Sequence, residues 1–181
     1  MQPWKIKSSR YLLKKWWMNI REDHVLLPNG GELPEFHVLE YPDWTCVLCL
    51  TKEGRLVMVE QYRHGVRRLS LELPGGAVEP GEEPIEAARR ELLEETGYAS
   101  ERWSSLGRCA PEPSKHTNYA YFFVAEDAMR VADPDLDDSE YLRVMEVDTG
   151  ELPGLIEAER IIHGTHLTAI YKAIGEGILK V

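Results

Sequence analysis

Glu91, Glu94 and Glu95 sit inside the stretch 71–98, LELPGGAVEPGEEPIEAARRELLEETGY, with the second and third placed three and four residues after the first. On a helix that spacing crowds three carboxylates onto one side of a single turn, where like charges cost a few tenths of a kcal/mol per pair. Something outside the helix must offset that repulsion. A hard divalent cation, which takes carboxylate and carbonyl oxygens, is the natural candidate. The competing reading is an acidic amphipathic helix following a turn.

The elements that would position these carboxylates are legible in the same stretch. A Pro74-Gly75-Gly76 turn opens it and an acidic loop follows. Pro84 suits the first helical position, where its missing N–H has no intrahelical partner. Gly97 stands where the helix stops. Between them Ile85, Ala88 and Leu92 recur at helical spacing and face a core.

With 181 residues, the chain is long enough for one domain with a sizeable core and a small appended element. It has 21 basic and 31 acidic residues, a net charge of −10, which argues against a nucleic-acid backbone as partner. A phosphate-bearing small molecule stays compatible where metal ions mask the carboxylates. No apolar run approaches the length that spans a bilayer. Trp4, Trp16 and Trp17 lie among lysines with no apolar run leading to a cleavage site, so no secretory signal is read, and three cysteines, an odd number, suit a reducing cytoplasm. Cys46-Val47-Leu48-Cys49 lies inside an apolar run, 45–51, with no second pair to complete a zinc site. Both cysteines read as buried packing residues.

Residues 1–45 alternate short hydrophobic runs with turn signals, of which Pro28-Asn29-Gly30-Gly31 is the clearest. They read as a small antiparallel β region, with residues 46–181 forming the main domain. The tryptophans Trp4, Trp16, Trp17 and Trp44 suit core or interface anchors, and one of them also offers a stacking surface for an adenine base. Strands are expected at 46–50 and 56–61 around Glu53-Gly54, then at 103–109, 119–125 and 140–147. Loops are expected at 64–68, 110–116 and 126–139, and a helix at 155–179 with a break at His163-Gly164. The histidines His116, His163 and His166 invite a metal or general-base reading, but no carboxylate is evidently placed with them, so surface or helix-packing roles are expected. Strands mixed with two main helices imply one layered α/β domain, a mixed sheet between helices.

Gly76, five residues, Glu82, seven residues, then Arg90-Glu91-Leu92-Leu93-Glu94-Glu95-Thr96-Gly97-Tyr98 resembles the Nudix box, G-x5-E-x7-R-E-U-x-E-E-x-G-U. Every fixed Gly, Glu and Arg is present, and only the last hydrophobic slot departs, with Tyr98 in place of an aliphatic residue. Val59-Glu60-Gln61-Tyr62-Arg63, Leu71-Glu72-Leu73-Pro74-Gly75-Gly76, the N-terminal β region and Pro113 are similar to the ADP-ribose pyrophosphatase branch, which commonly has Pro-Gly where this chain has Pro113-Ser114. The resemblance implies a Nudix α-β-α sandwich with a mixed sheet and a small N-terminal antiparallel β region. It also implies metal-dependent attack of water on a pyrophosphate.

By the same resemblance Glu91 and Glu95 are metal ligands and Glu94 is a further ligand or orienting carboxylate. The Gly75 carbonyl is the expected main-chain ligand, which would account for the glycine pair. About two or three Mg²⁺ ions, with Mn²⁺ as a substitute, would neutralise the phosphate oxygens and acidify a bound water. Arg90 and Glu82 brace the loop as an ion pair. The substrate-contacting set is Arg63, Gln61, Glu72, Pro113 and Trp17, with Arg63 on a phosphate. Either Glu140 or Asp138, in a late acidic loop, is the expected base; each reads equally as part of a solvated turn. The expected protein is a cytoplasmic homodimer without nucleic-acid or membrane partners, splitting ADP-ribose or a similar nucleoside diphosphate sugar. The alternatives are a nucleoside triphosphate or GDP-hexose as substrate, or a sensing module that binds a nucleotide without cutting it.

Overall fold

Alternation of apolar and polar side chains, with turns every eight to ten residues or so, folds the start of the chain into strands. In the computed structural model, which describes residues 2–136 and 140–181, these are β1 (Lys5–Lys14), β2 (Asn19–Leu26) and β3 (Glu32–Glu40), antiparallel in the order β1-β2-β3. The β2–β3 turn closes over Pro28-Asn29-Gly30-Gly31, where the Leu27 and Gly31 backbones bond at 2.8 Å and Asn29 Oδ1 accepts from the Gly31 N–H. Val25 and Val38 are buried, as is Asp23, which accepts from Ser9 Oγ and Arg21. Almost all of β1 is exposed.

This sheet belongs to one of two compact units. The first takes the chain through Asp43 and regains Ala110–Tyr119; the second takes Trp44–Cys109 and Ala120–Val181. In the first unit the regained segment pairs with β3, the Leu39 N–H donating to the Lys115 carbonyl at 2.8 Å. The loop expected between two strands is therefore a ten-residue excursion that adds to the N-terminal unit.

In the second unit the described strands are β4 (Trp44–Thr51), β5 (Leu56–Arg63), β6 (Arg68–Glu72), β7 (Tyr98–Ala99), β8 (Arg102–Cys109), β9 (Ala120–Arg130) and β10 (Leu142–Val147). They make a mixed sheet of order β10-β5-β4-β9-β7, with β6 paired to β5, β8 to β9, and β4 parallel to β9. Its helices are α1 (Pro84–Thr96), α2 (Leu152–Glu157) and α3 (Gly164–Gly175).

Strand periodicity decides the layering. Val47, Cys49, Val57 and Phe123 cluster with Ala88 and Leu92 of α1. Their neighbours Leu48, Leu56, Met58 and Phe122 point the other way, onto Leu152, Ile161, Ala169, Ile170 and Ala173. The sheet is thus buried on both faces, an α-β-α sandwich, and each fully buried large side chain contributes about 1.5–3 kcal/mol. Cys46 and Cys49 are buried strand residues and their thiols, like that of Cys109, are free.

Three sequence expectations change. The helix expected over 155–179 is interrupted across residues 158–163, where Glu159 takes a left-handed conformation and the Arg160 carbonyl turns back to accept from the Leu71 N–H. The loop expected from residue 126 is strand as far as Arg130, because β7 and β8 supply partners while Glu126 and Asp127 pair outward with Arg102. Strand character also begins at Arg68, inside the expected loop 64–68.

Candidate active site

The turn after β6 is held against β4 like a short extra strand. The Thr45 N–H donates to the Gly76 carbonyl and the Val47 N–H to the Pro74 carbonyl, both at 2.8 Å. Approach this close leaves no room for side chains. A Cβ on Gly75, whose φ is +153°, would lie 2.0 Å from the Thr45 carbonyl oxygen. A Cβ on Gly76 would lie 2.2–2.4 Å from the carboxylate atoms of Glu91. The glycine pair therefore lets the α1 carboxylates press directly onto backbone.

Helix α1 starts at Pro84 and ends at Gly97 in the left-handed conformation. Ala88 and Leu92 fix its buried face, which turns Glu91 and Glu95 toward the turn. Glu95 is buried, and its Oε2 accepts from the Gly75 N–H at 2.9 Å. Burial pushes its carboxyl up to about 8; the Gly75 hydrogen bond opposes this, and the charges of Glu91 and Glu140 add to it. Burial also raises Glu91, against the pull of Arg90 and with a push from Glu94 and Glu140.

Arg90 joins the loop to the helix. It donates to both oxygens of Glu82 at 3.1 and 3.0 Å, to the Ala77 carbonyl at 3.1 Å, to Glu91 at 2.9 Å and to Glu94 at 3.1 Å. The Glu82 bond, foremost, holds the guanidinium well above its ordinary range. Five donors in a rigid fork serve this hub; an ammonium would not.

On β6, Glu72 is wholly enclosed. Arg63 of β5 reaches it with a two-pronged hydrogen bond, Nε to Oε1 at 2.9 Å and Nη2 to Oε2. Burial alone would raise the Glu72 carboxyl, yet the Arg63 guanidinium holds it below its ordinary range. Gln61 lies two residues before Arg63, half-buried, opposite Ser70 and Leu142.

The structure thus links Glu95 to Gly75, packs Glu91 on Gly76 and joins Glu91 to Glu94 through Arg90. Arg63 pairs with Glu72 and acts on Glu95 by its charge, and the charge of Glu140 acts on Glu91 and Glu95. Asp138 lies outside the described residues. Trp17 and Pro113 belong to the first unit and are exposed. His166, expected as a surface or helix-packing residue, is buried in α3, and its Nδ1 accepts from the Leu73 N–H at 3.0 Å and lies 4.0 Å from Glu72. Its place beside the Leu73 N–H is what spacing along the chain did not reveal. A strand edge needing acceptors was the available signal, and it depends on a pairing 93 residues apart.

The NUDIX domain model matches residues 41–163, more than half the chain. The chain belongs to the Nudix family. In this Nudix hydrolase a second model, the nucleoside diphosphate sugar hydrolase N-terminal domain, matches residues 4–39. An ADP-ribose pyrophosphatase of Bacillus subtilis (strain 168) is 33% identical over 140 residues, 77% of this chain and 75% of that protein. A methanol dehydrogenase activator of Bacillus methanolicus is 31% identical over 154 residues, 84% and 83% of the two chains. A solved ADP compounds hydrolase superposes with a TM-score of 0.85 over 98% of this chain and 97% of its own at 20% identity, which shows a shared fold.

Nudix hydrolases generally use divalent metals. Among the described residues no three His, Cys, Asp or Glu side chains converge to hold an ion by themselves. A buried Glu95 raised to about 8 and a raised Glu91 are nonetheless a donor set in want of positive charge, and nearby cations reverse such shifts. A hard divalent cation takes carboxylate and carbonyl oxygens and can complete its shell with waters and substrate phosphates, so the residues present fit one. Among the described residues no helix is long and apolar enough to cross a membrane.

Proposed function

We propose that this Nudix hydrolase splits the pyrophosphate of a nucleoside diphosphate sugar, with ADP-ribose cleaved to AMP and ribose 5-phosphate as the leading reaction. The observation that carries the reading is Glu91 and Glu95 packed, without intervening side chains, on the Pro74-Gly75-Gly76 turn. The substrate class draws support from the N-terminal family model and from the name of the B. subtilis relative.

In this proposal Glu91, Glu95 and the Gly75 carbonyl hold Mg²⁺, with Glu94 as a further ligand. Bound there, two or three Mg²⁺ ions, replaceable by Mn²⁺, would neutralise the anhydride oxygens and lower the pKa of a water. Glu140 or Asp138 accepts the proton of the attacking water. Arg63 gives Glu72 its Nε and one Nη2 donor and turns its remaining N–H groups to a phosphate, with Gln61 beside it. Glu72 keeps that fork at a fixed angle. Trp17 and Pro113 stay in the substrate-contacting set on the resemblance alone.

The proposal extends to assembly and location. Residues 1–45 serve dimerisation and base stacking and residues 46–181 catalysis. Trp4, Ile6, Tyr11, Leu12, Trp16 and Trp17 are all exposed on the N-terminal unit, Trp16 at 93%, which supports a homodimer. Three free thiols support a reducing, cytoplasmic setting.

The test is a panel of ADP-ribose, other nucleoside diphosphate sugars, GDP-hexoses and nucleoside triphosphates at millimolar Mg²⁺, with phosphate read after phosphatase treatment of the products. Turnover of ADP-ribose or a related sugar at the highest kcat/KM is expected. Preference for a triphosphate or a GDP-hexose would replace the substrate. Calorimetric binding of ADP-ribose with no cleavage would make the chain a sensor.

A further inference from the structure

We infer that His166 is a positioning residue for the hydrolytic site: its Nδ1, by accepting the Leu73 N–H, fixes the backbone that carries Glu72 on one side and Gly75 on the other. The inference rests on the proposed anhydride chemistry for its kinetic arm and on hydrogen bonding alone for the rest.

The geometry begins with the edge of β6. That strand pairs with β5 along one side, and Leu71 and Leu73, two residues apart, turn their N–H groups to the other. Buried there without acceptors, the two donors would be costly. The 158–166 segment supplies both acceptors. The Arg160 carbonyl takes the Leu71 N–H at 2.8 Å, and one turn into α3 the imidazole takes the Leu73 N–H at 3.0 Å. Because Nδ1 accepts, the ring is neutral with its proton on Nε2, so the 4.0 Å approach to Glu72 is no ion pair.

His163, at the N-cap of α3, packs its ring on that of His166 with centroids 4.3 Å apart and a 31° tilt. The imidazole is 1% exposed. It is therefore enclosed too fully to meet a substrate or a water in transit, which excludes a general-base role. Its burial, foremost, drives its pKa down to about 3, in keeping with a permanently neutral ring. What the ring does control is register. Leu73 follows the residue gripped by Arg63 and precedes the turn whose Gly75 N–H grips Glu95. A shift of the Leu73 backbone moves both.

Three variants separate positioning from packing. Asparagine places an amide oxygen where Nδ1 lies, glutamine reaches instead toward Nε2, and leucine offers no acceptor. Amide exchange of Leu73 and the ¹⁵N–¹H resonance of the Arg63 Nε–H, which reports the Glu72 pair, are followed by NMR in each. Initial rates with the best substrate of the panel are taken per folded molecule, well below each melting temperature. The expected results are slow Leu73 exchange in wild type and His166→Asn, fast exchange with a displaced Arg63 Nε–H in His166→Leu and His166→Gln, and a kcat lower by roughly ten- to hundredfold in those two with KM within about threefold. Asparagine returns kcat to within a few-fold of wild type. Wild-type kcat in folded His166→Leu, equal rescue by asparagine and glutamine, or an unmoved Arg63 resonance would overturn the inference. A wild type that turns over nothing would overturn the proposed function instead, while the two NMR readouts still decide the role of His166.

Discussion

Replacing Glu95 by glutamine keeps the shape of a buried side chain and its capacity to accept the Gly75 N–H, and removes only the charge. Without a cation, burial lifts this carboxyl from 4.5 to about 8. At about 1.4 kcal/mol per pH unit the displacement is worth on the order of 5 kcal/mol. The sign comes from counting protons. Between roughly pH 4.5 and 8 the folded chain keeps a proton that the unfolded chain has lost, so this group's contribution to stability falls as pH rises through that window. Glutamine carries no such penalty. In chelator at pH 8, Glu95→Gln should therefore melt roughly 10–20 °C above wild type, and the gap should close toward pH 4.5. Millimolar Mg²⁺ should raise the wild-type melting point and leave the variant nearly unmoved, while kcat in the variant falls by about three orders of magnitude. Scanning fluorimetry across pH, with EDTA and with Mg²⁺, and initial rates on the same samples read all three. A variant no more stable than wild type in EDTA at pH 8, or one keeping wild-type turnover, would refute the placement of Glu95 as a buried carboxylate that answers to a cation.

Neighbouring glycines give opposite predictions. Gly75→Ala drives a Cβ into the Thr45 backbone and should cost roughly 3 kcal/mol or more of stability, seen as a melting point lower by at least about 6 °C. Gly76→Ala meets the movable end of Glu91, so the melting point should hold within about 2 °C while kcat falls about a hundredfold. Arg90→Lys keeps the charge but loses the fork that spans Glu82, Ala77, Glu91 and Glu94; kcat/KM should fall roughly ten- to hundredfold and protease should cut residues 77–83 faster, and unchanged values for both would refute the hub. Sedimentation velocity at micromolar concentration should show a dimer that Trp16→Glu together with Leu12→Glu weakens, and a wild-type monomer would refute it.

What the sequence showed and what it hid divide along chain separation. The turn, the α1 start at Pro84, its stop at Gly97 and the stacked carboxylates fall within 28 residues, and local spacing fixes each of them. The unbroken burial of β4 and of the first half of β5 likewise announces a sheet covered on both faces, since the apolar run admits no polar side. Spacing is blind to pairings made across the fold. The excursion 110–119 reads as an ordinary loop because its partner is β3, and β6 goes unseen because its edge is completed by residues ninety or so positions later. His163 and His166 look idle for the same reason: a helix period assigns them a face without naming what waits there. The two classes of information also differ in what they control. Local spacing sets which side chains the site contains, whereas Arg63 on Glu72 and His166 on Leu73 set where those side chains stand, and catalysis by charge placement depends on the second as steeply as on the first. A chain sharing every box residue but lacking an acceptor opposite Leu73 should therefore fold as a Nudix domain and hydrolyse slowly.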